Sequence, residues 1–262
     1  MIIGIVAALR EEIKPLLSLL GHVTRPGRPD KWPVILGFSK HQLILSVCGF
    51  GKVNAAIAAQ ELIISHGVEC LINIGTATAV NKQLDIGDIV VSKKFIQHDF
   101  DAIPITSRLG EIPMDVTFDE TGIPELITTR DFAADHTKIN DVITSSEHCR
   151  FVDIESRYPR VVSGNFVSGD QLVKSSDKME WLRVEFEAYC VDMESAAIAQ
   201  VCAKYDLPFL GIRVISDKGH ERSLYDVLHY VDPACENLAR LIICYITHDE
   251  ELTDEQLFSW RF

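Results

Sequence analysis

The chain has 262 residues, 47% of them hydrophobic, and a formal net charge of −13 from 38 acidic and 25 basic side chains. That is enough apolar material for a sizeable core, and it lacks the basic face a nucleic-acid partner requires. No apolar run reaches the ~20 residues that cross a bilayer, so neither nucleic acid nor membrane is an expected partner.

The seven cysteines (Cys48, Cys70, Cys149, Cys190, Cys202, Cys235 and Cys244) are scattered and odd in number, with no CxxC pair. They read as reduced core thiols of a cytoplasmic protein, with no zinc site, no disulfide framework and no expected cofactor. The N-terminal segment has no basic start, and Arg10, Glu11 and Glu12 interrupt its apolar run early, so it does not read as a signal peptide.

Ile2–Ala7, mostly β-branched, reads as a buried strand. Leu9, Ile13, Leu16, Leu17 and Leu20 then recur at helical spacing over residues 9–20. Residues 33–38 and 42–48 read as paired strands, and Gly49-Phe50-Gly51 opens a long helix over Lys52–His66. A strand at 70–74 is expected to end in a turn at Gly75-Thr76-Ala77-Thr78, and Ile86-Gly87-Asp88 to turn into a strand at 89–92. The polar stretch 97–150, with Pro104, Pro113 and Pro124, reads as excursion loops with one or two short helices.

Strands at 161–167, 189–192 and 209–215 follow, with helices at 177–187, 195–205 and about 232–247. The tail 249–262, acidic and then aromatic (Phe258, Trp260, Phe262), is expected to pack on a neighbour or stay mobile. Apolar strands alternating with amphipathic helices predict an α/β fold: one domain of three αβα layers around a mixed, twisted central sheet.

Ligands in such sheets gather beyond the carboxyl ends of strands. Three carboxylates stand there: Glu12 one turn after the first strand, Glu194 after 189–192 and Asp217 after 209–215. Each also has a plain structural alternative. Glu12 and Glu194 would complement helix dipoles, and Asp217 would cap a turn.

The surrounding words decide between these readings. Ile3-Gly4-Ile5-Val6-Ala7-Ala8-Leu9-Arg10-Glu11-Glu12-Ile13, Gly49-Phe50-Gly51-Lys52-Val53-Asn54-Ala55-Ala56 and Asn73-Ile74-Gly75-Thr76-Ala77 stand in that order. Ile86-Gly87-Asp88-Ile89-Val90-Val91-Ser92, His98-Asp99, Ser168-Gly169-Asp170-Gln171, Asp192-Met193-Glu194-Ser195-Ala196-Ala197-Ile198-Ala199 and Arg213-Val214-Ile215-Ser216-Asp217 complete the series. Together, over residues 3–217, they resemble the purine nucleoside phosphorylase/uridine phosphorylase superfamily, and most nearly its 5′-methylthioadenosine/S-adenosylhomocysteine nucleosidase branch.

The resemblance implies a nucleoside phosphorylase-like fold, a homodimer and an enzyme of nucleoside catabolism and methionine salvage. Its substrate would be a small adenine nucleoside. Purine N-glycoside cleavage passes through an oxocarbenium-like sugar and a base that leaves with negative charge, so an acid and a nucleophile helper are needed. By resemblance, Asp217 protonates purine N7 and Glu12 orients and deprotonates the attacking water. Met193 and Glu194 hold the ribose, Ser216 supports Asp217, and Val173 reads the adenine edge through its backbone. Thr76 and Ala77 line the cleft.

A phosphorylase would need arginines or a glycine-rich nest converging on an anion. Gly75-Thr76-Ala77-Thr78 has no adjacent arginine, while Arg10 and Lys52 are the basic residues nearest the strand ends. Water is therefore the expected nucleophile. A phosphate-dependent phosphorylase and a catalytically weak nucleoside-binding homologue are the alternatives.

Several positions depart from the family pattern. Thr78 and Ala79 stand where glycine is usual, which narrows the cleft wall. Leu172 replaces a phenylalanine that stacks on the purine, and Leu9 replaces a methionine. The loop 102–112, which in the family dimer lends aromatic residues to the partner's 5′-pocket, is aliphatic and polar here, and Tyr225 is expected to restore an aromatic ring. His98-Asp99 reads as structural, His220 as a solvated residue near the cleft mouth, and His66 as a surface residue.

Overall fold

The computed structural model describes residues 1–22, 31–103, 105–219 and 223–248, the side chains of 223–228 excepted. Along the chain run β1 (Ile2–Ala7), α1 (Arg10–Leu19), β2 (Val34–Phe38), β3 (His41–Val47), α2 (Lys52–His66) and β4 (Cys70–Ala79). Next come β5 (Ile89–Gln97), β6 (Ile112–Phe118), β7 (Pro124–Thr129), β8 (Phe132–Ala133), α3 (His136–His148) and β9 (Val161–Ser168). The series ends with α4 (Ser176–Glu185), β10 (Ala188–Asp192), α5 (Ser195–Lys204), β11 (Phe209–Asp217) and α6 (Ser223–Ile246).

Nine strands form one mixed sheet in the order β10-β9-β5-β11-β4-β1-β3-β2, with β8 beside β5. Helices α1, α3 and α6 pack together, and α2 packs on α5, so helices cover the sheet in two groups. This is the expected α/β architecture, with one addition. β10 also pairs antiparallel with β4 through Cys190↔Ala79 and Val191↔Thr78. Strands β4, β11, β5, β9 and β10 therefore close on themselves, and the ends of three of them meet at one mouth.

Helix α2 shows how the sequence specifies its elements. Ala55, Ala58, Ala59 and Leu62 form its buried stripe, and Gly67 ends it in the left-handed conformation at φ 62°. Gly4 has no room for a side chain, because a Cβ there would stand 2.4 Å from Leu71.

Four expectations need correction. The segment Gly75-Thr76-Ala77-Thr78 is not a turn: β4 runs on to Ala79, paired with β11 through Arg213↔Gly75 and Asp217↔Thr78. β5 continues to Gln97 past the exposed Lys93 and Lys94, which sit at a register shift and break the apolar pattern. α6 starts at Ser223 and carries Pro233 inside it, whereas a proline usually marks a first helical turn. Residues 112–129 form a hairpin rather than loops, its turn held by Asp119 accepting from the N–H groups of Thr121 and Ile123. The expectations for Pro104, His220 and the tail 249–262 lie outside the described residues, as does the side chain of Tyr225.

Candidate active site

A cavity of about 260 Å³ opens at the strand ends. Leu9, Glu12, Thr76, Ala77, Leu172, Val173, Met193, Glu194, Ser216 and Asp217 all line it. The fold thus gathers every candidate residue whose side chain is described. Ala8, Phe50, Thr78, Gln171, Lys174, Val191 and Asp192 complete the wall.

Glu12 is 3% exposed. Its Oε2 accepts from the backbone N–H groups of Ala8 at 3.0 Å and Leu9 at 2.9 Å, which is the helix-start role anticipated for it. Its Oε1 turns the other way and accepts from the N–H of Thr76 at 2.7 Å and the Thr76 hydroxyl at 2.9 Å. The two roles therefore coexist: one oxygen caps α1, the other faces β4 and the cavity. Of the four donors, only the Thr76 hydroxyl can rotate and leave its lone pair to a bound water. Gly75, at φ 152°, permits this approach, since a Cβ there would stand 2.7 Å from Glu12 Oε1 and 2.3 Å from Arg213 Nη1.

Asp217 reaches its place through an irregularity in β11. The register skips Ser216, so Asp217 rather than Ser216 stands opposite Thr78. Asp217 Oδ1 accepts from the Gly219 N–H at 2.8 Å, the turn-capping bond expected from sequence. Oδ2 accepts from the Thr78 hydroxyl at 3.0 Å and the Ser216 hydroxyl at 3.2 Å.

Glu194, 4% exposed, does not cap its own helix. Asp192 does, its Oδ1 accepting from the N–H groups of Glu194 and Ser195. Glu194 Oε1 instead accepts from the Gly51 N–H at the start of α2, at 3.0 Å. Behind it lies Arg213, fully buried and unremarked in the sequence beyond its place in a word. Its Nε donates to Asp192 Oδ2 at 2.8 Å, its Nη1 to the Ile74 carbonyl at 2.9 Å, and its Nη2 to Asn73 Oδ1 at 2.6 Å. Its contact with Glu194 Oε2 is longer, at 3.4 Å.

That difference shows in the acidities. Burial pushes the Asp192 carboxyl up, but Arg213 and the hydroxyls of Ser168 and Ser195 outweigh it and hold the group below the usual carboxylate range. Burial also pushes Glu194 up, and the more distant Arg213 offsets only part of it, leaving Glu194 at about 7. The Arg213 guanidinium is held charged against its burial by Asp192, Glu194 and Glu12.

Two residues were missed in the sequence. Phe50, 58% exposed, places an aromatic ring at the cavity mouth, and Leu172, 71% exposed, an aliphatic side chain. A large ring between two glycines at a helix start was the available signal. Arg213 was detectable as a lone charge inside an apolar strand, which has to be paired.

His98 and Asp99 do not line the cavity. The His98 ring is buried against Gly169, with its pKa lowered by burial. Asp99 accepts from Lys52 Nζ at 2.7 Å and from the Asp170 N–H at 2.9 Å. Lys52 thus points to Asp99 rather than into the cavity. Among the described residues lining it, Lys174 is the one cation besides four carboxylates. His66 is half-buried rather than on the surface.

The family model described as "Phosphorylase superfamily" matches residues 2–247. An aminodeoxyfutalosine nucleosidase of Helicobacter pylori (strain J99) is 28% identical over 248 residues, covering 92% of this chain and 96% of that one. A 5′-methylthioadenosine/S-adenosylhomocysteine nucleosidase of Bacillus cereus (strain B4264) is 29% identical over 245 residues, with the same coverage of 92% and 96%. Among solved structures, the futalosine hydrolase of Helicobacter pylori strain 26695 superposes with a TM-score of 0.78 at 26% identity, covering 95% of this chain and 98% of that one.

Proposed function

The chain belongs to the phosphorylase superfamily, and on that footing we propose that it is a purine nucleosidase. It hydrolyses the N-glycosidic bond of an adenine nucleoside: 5′-methylthioadenosine, S-adenosylhomocysteine or another 5′-modified adenosine. The observation that carries this reading is the charge of the cavity wall. Glu12, Asp192, Glu194 and Asp217 line it with Lys174 as the one cation among the described residues. Such a wall repels phosphate and suits a neutral water. Two of the relatives named above carry nucleosidase names, and the third is called a hydrolase.

In the reaction, a water held by Glu12 attacks C1′ and gives its proton to Glu12. The C1′–N9 bond breaks with its electron pair going to the purine, and Asp217 delivers its proton to N7. Glu194 and Met193 hold the ribose, and the Glu194 carboxylate favours the positive sugar as it develops. Val173, Leu172 and Phe50 frame the base and the mouth.

The test is base release from a panel of nucleosides, followed by chromatography with and without phosphate. Adenine is expected at the same rate in both, and a strict phosphate requirement would sink the hydrolase reading. In the same assay, kcat/KM is expected to fall as the pH drops through about 7, where Glu194 loses its charge. The stability linkage runs the other way. A raised carboxyl favours the folded state below the ordinary carboxylate range, and that advantage is lost as pH rises through about 7.

The reading includes a homodimer in the cytoplasm. Val53, Ile57 and Ile64 form an exposed apolar stripe along α2, and Ile103 and Ile105 are also exposed in the segment between β5 and β6. The seven cysteines are all unpaired, as suits a reducing compartment. Sedimentation giving a one-chain mass at micromolar concentration would contradict the dimer.

A further inference from the structure

We infer that Thr78 is a positioning residue for Asp217, aiming the acid's proton through Oδ1. The inference rests on the nucleosidase reading and adds a residue to its machinery. Thr78 first looks like a cost, a branched side chain where relatives of this kind use glycine, narrowing the cleft wall. The structure turns that side chain to a purpose. Thr78 is 8% exposed, lines the cavity, and donates its hydroxyl to Asp217 Oδ2 at 3.0 Å.

A carboxylate offers about four lone-pair sites. Thr78 and Ser216 both donate to Oδ2, and the Gly219 N–H takes one site on Oδ1. Among the described residues, the site left over is on Oδ1. A proton arriving at Asp217 therefore settles there while both hydroxyls keep their bonds. Ser216 alone holds Oδ2 less firmly, since its hydroxyl has a second acceptor in the Ala77 carbonyl at 3.4 Å. Thr78 is the better anchor for a backbone reason. It stands opposite Asp217 across the β4–β11 pairing, where the skipped register brings the two side chains together. Its β-branched side chain is also stiff at χ1 in a strand. Without it, the carboxyl can rotate and exchange its two oxygens, so the proton is aimed at the leaving base only part of the time.

The experiment compares Thr78→Val, Thr78→Ala and Thr78→Ser with the unaltered protein, using 5′-methylthioadenosine and following adenine. Valine keeps the shape and removes the hydroxyl; serine keeps the hydroxyl. The expected result is a kcat lowered about tenfold or more in Thr78→Val, with KM within about threefold, and a kcat in Thr78→Ser restored to near the unaltered value. A Thr78→Val kcat close to the unaltered one overturns the inference. So does an equal loss in the valine and serine variants, because the hydroxyl would then be irrelevant. If the valine variant does not fold by circular dichroism, the alanine variant carries the comparison, and failure of both to fold makes Thr78 a packing residue and overturns the role. An unaltered protein that releases no base from any nucleoside would sink the nucleosidase reading itself, an outcome separable from all of these.

Discussion

Replacing Asp217 by asparagine is expected to lower kcat for adenine release by about 10²–10⁴-fold, the usual contribution of a general acid, while KM changes little. Asparagine keeps the size of the side chain and one carbonyl oxygen. That oxygen can still accept from the Gly219 N–H or from the hydroxyls of Thr78 and Ser216, which are the bonds that hold Asp217 in place. What it lacks is a proton to give. The purine must then leave C1′ as an anion, so the loss falls on the chemical step and not on binding. Steady-state assays with 5′-methylthioadenosine separate the two parameters, and calorimetric titration of adenine reports binding directly. A variant whose kcat stays within about threefold of the unaltered protein would remove Asp217 from the role of acid. A variant that loses adenine binding in the same proportion as kcat would make it a binding residue instead.

The site was legible in the sequence to an uneven degree, and the reasons are physical. Glu12, Glu194 and Asp217 stand after apolar strands, and strand ends of a layered sheet converge, so their meeting followed from the alternation of elements alone. Helix α2 was legible to its ends because a small-residue stripe between two glycines has one sensible helical reading. The continuation of β4 was not, because Gly75-Thr76-Ala77-Thr78 has the composition of a turn. Only the pairing partners β11 and β10 on either side make it a strand. Thr78 was misjudged for the same reason: its partner Asp217 lies 139 positions away, and a skipped register in β11 sets their contact. The hairpin of β6 and β7 was invisible because much of it is exposed, Val116, Phe118, Leu126 and Ile127 included, so apolar-in and polar-out alternation never develops.

The second large effect concerns Arg213. Arg213→Met is expected to destabilise the fold by about 3–5 kcal/mol, the range for removing one partner from a buried ion pair. Methionine fills similar space, so the loss is electrostatic and not a cavity effect. The guanidinium reaches Asp192, Asn73, Ser195, the Ile74 carbonyl and Glu194 from a position with no solvent exposure. Without it, Asp192 stays buried with only N–H and hydroxyl donors, and the buried Glu194 loses the cation that offsets Asp192 and Glu12. At roughly 2–4 °C per kcal/mol for a chain of this size, the melting temperature should fall by about 10 °C. The pH dependence gives the cause away. Arg213 helps hold Asp192 below the usual carboxylate range, so in the unaltered protein that stabilisation is present above the range and is lost as pH falls through the folded value. In the variant both carboxylates gain by taking up protons, so the deficit should be largest at pH 8 and shrink toward pH 5. Calorimetric scans of both proteins across that span are the check. A deficit that is absent, or that stays the same at every pH, would mean that Arg213 contributes packing and not charge, and the account of why Glu194 titrates near neutrality would have to change with it.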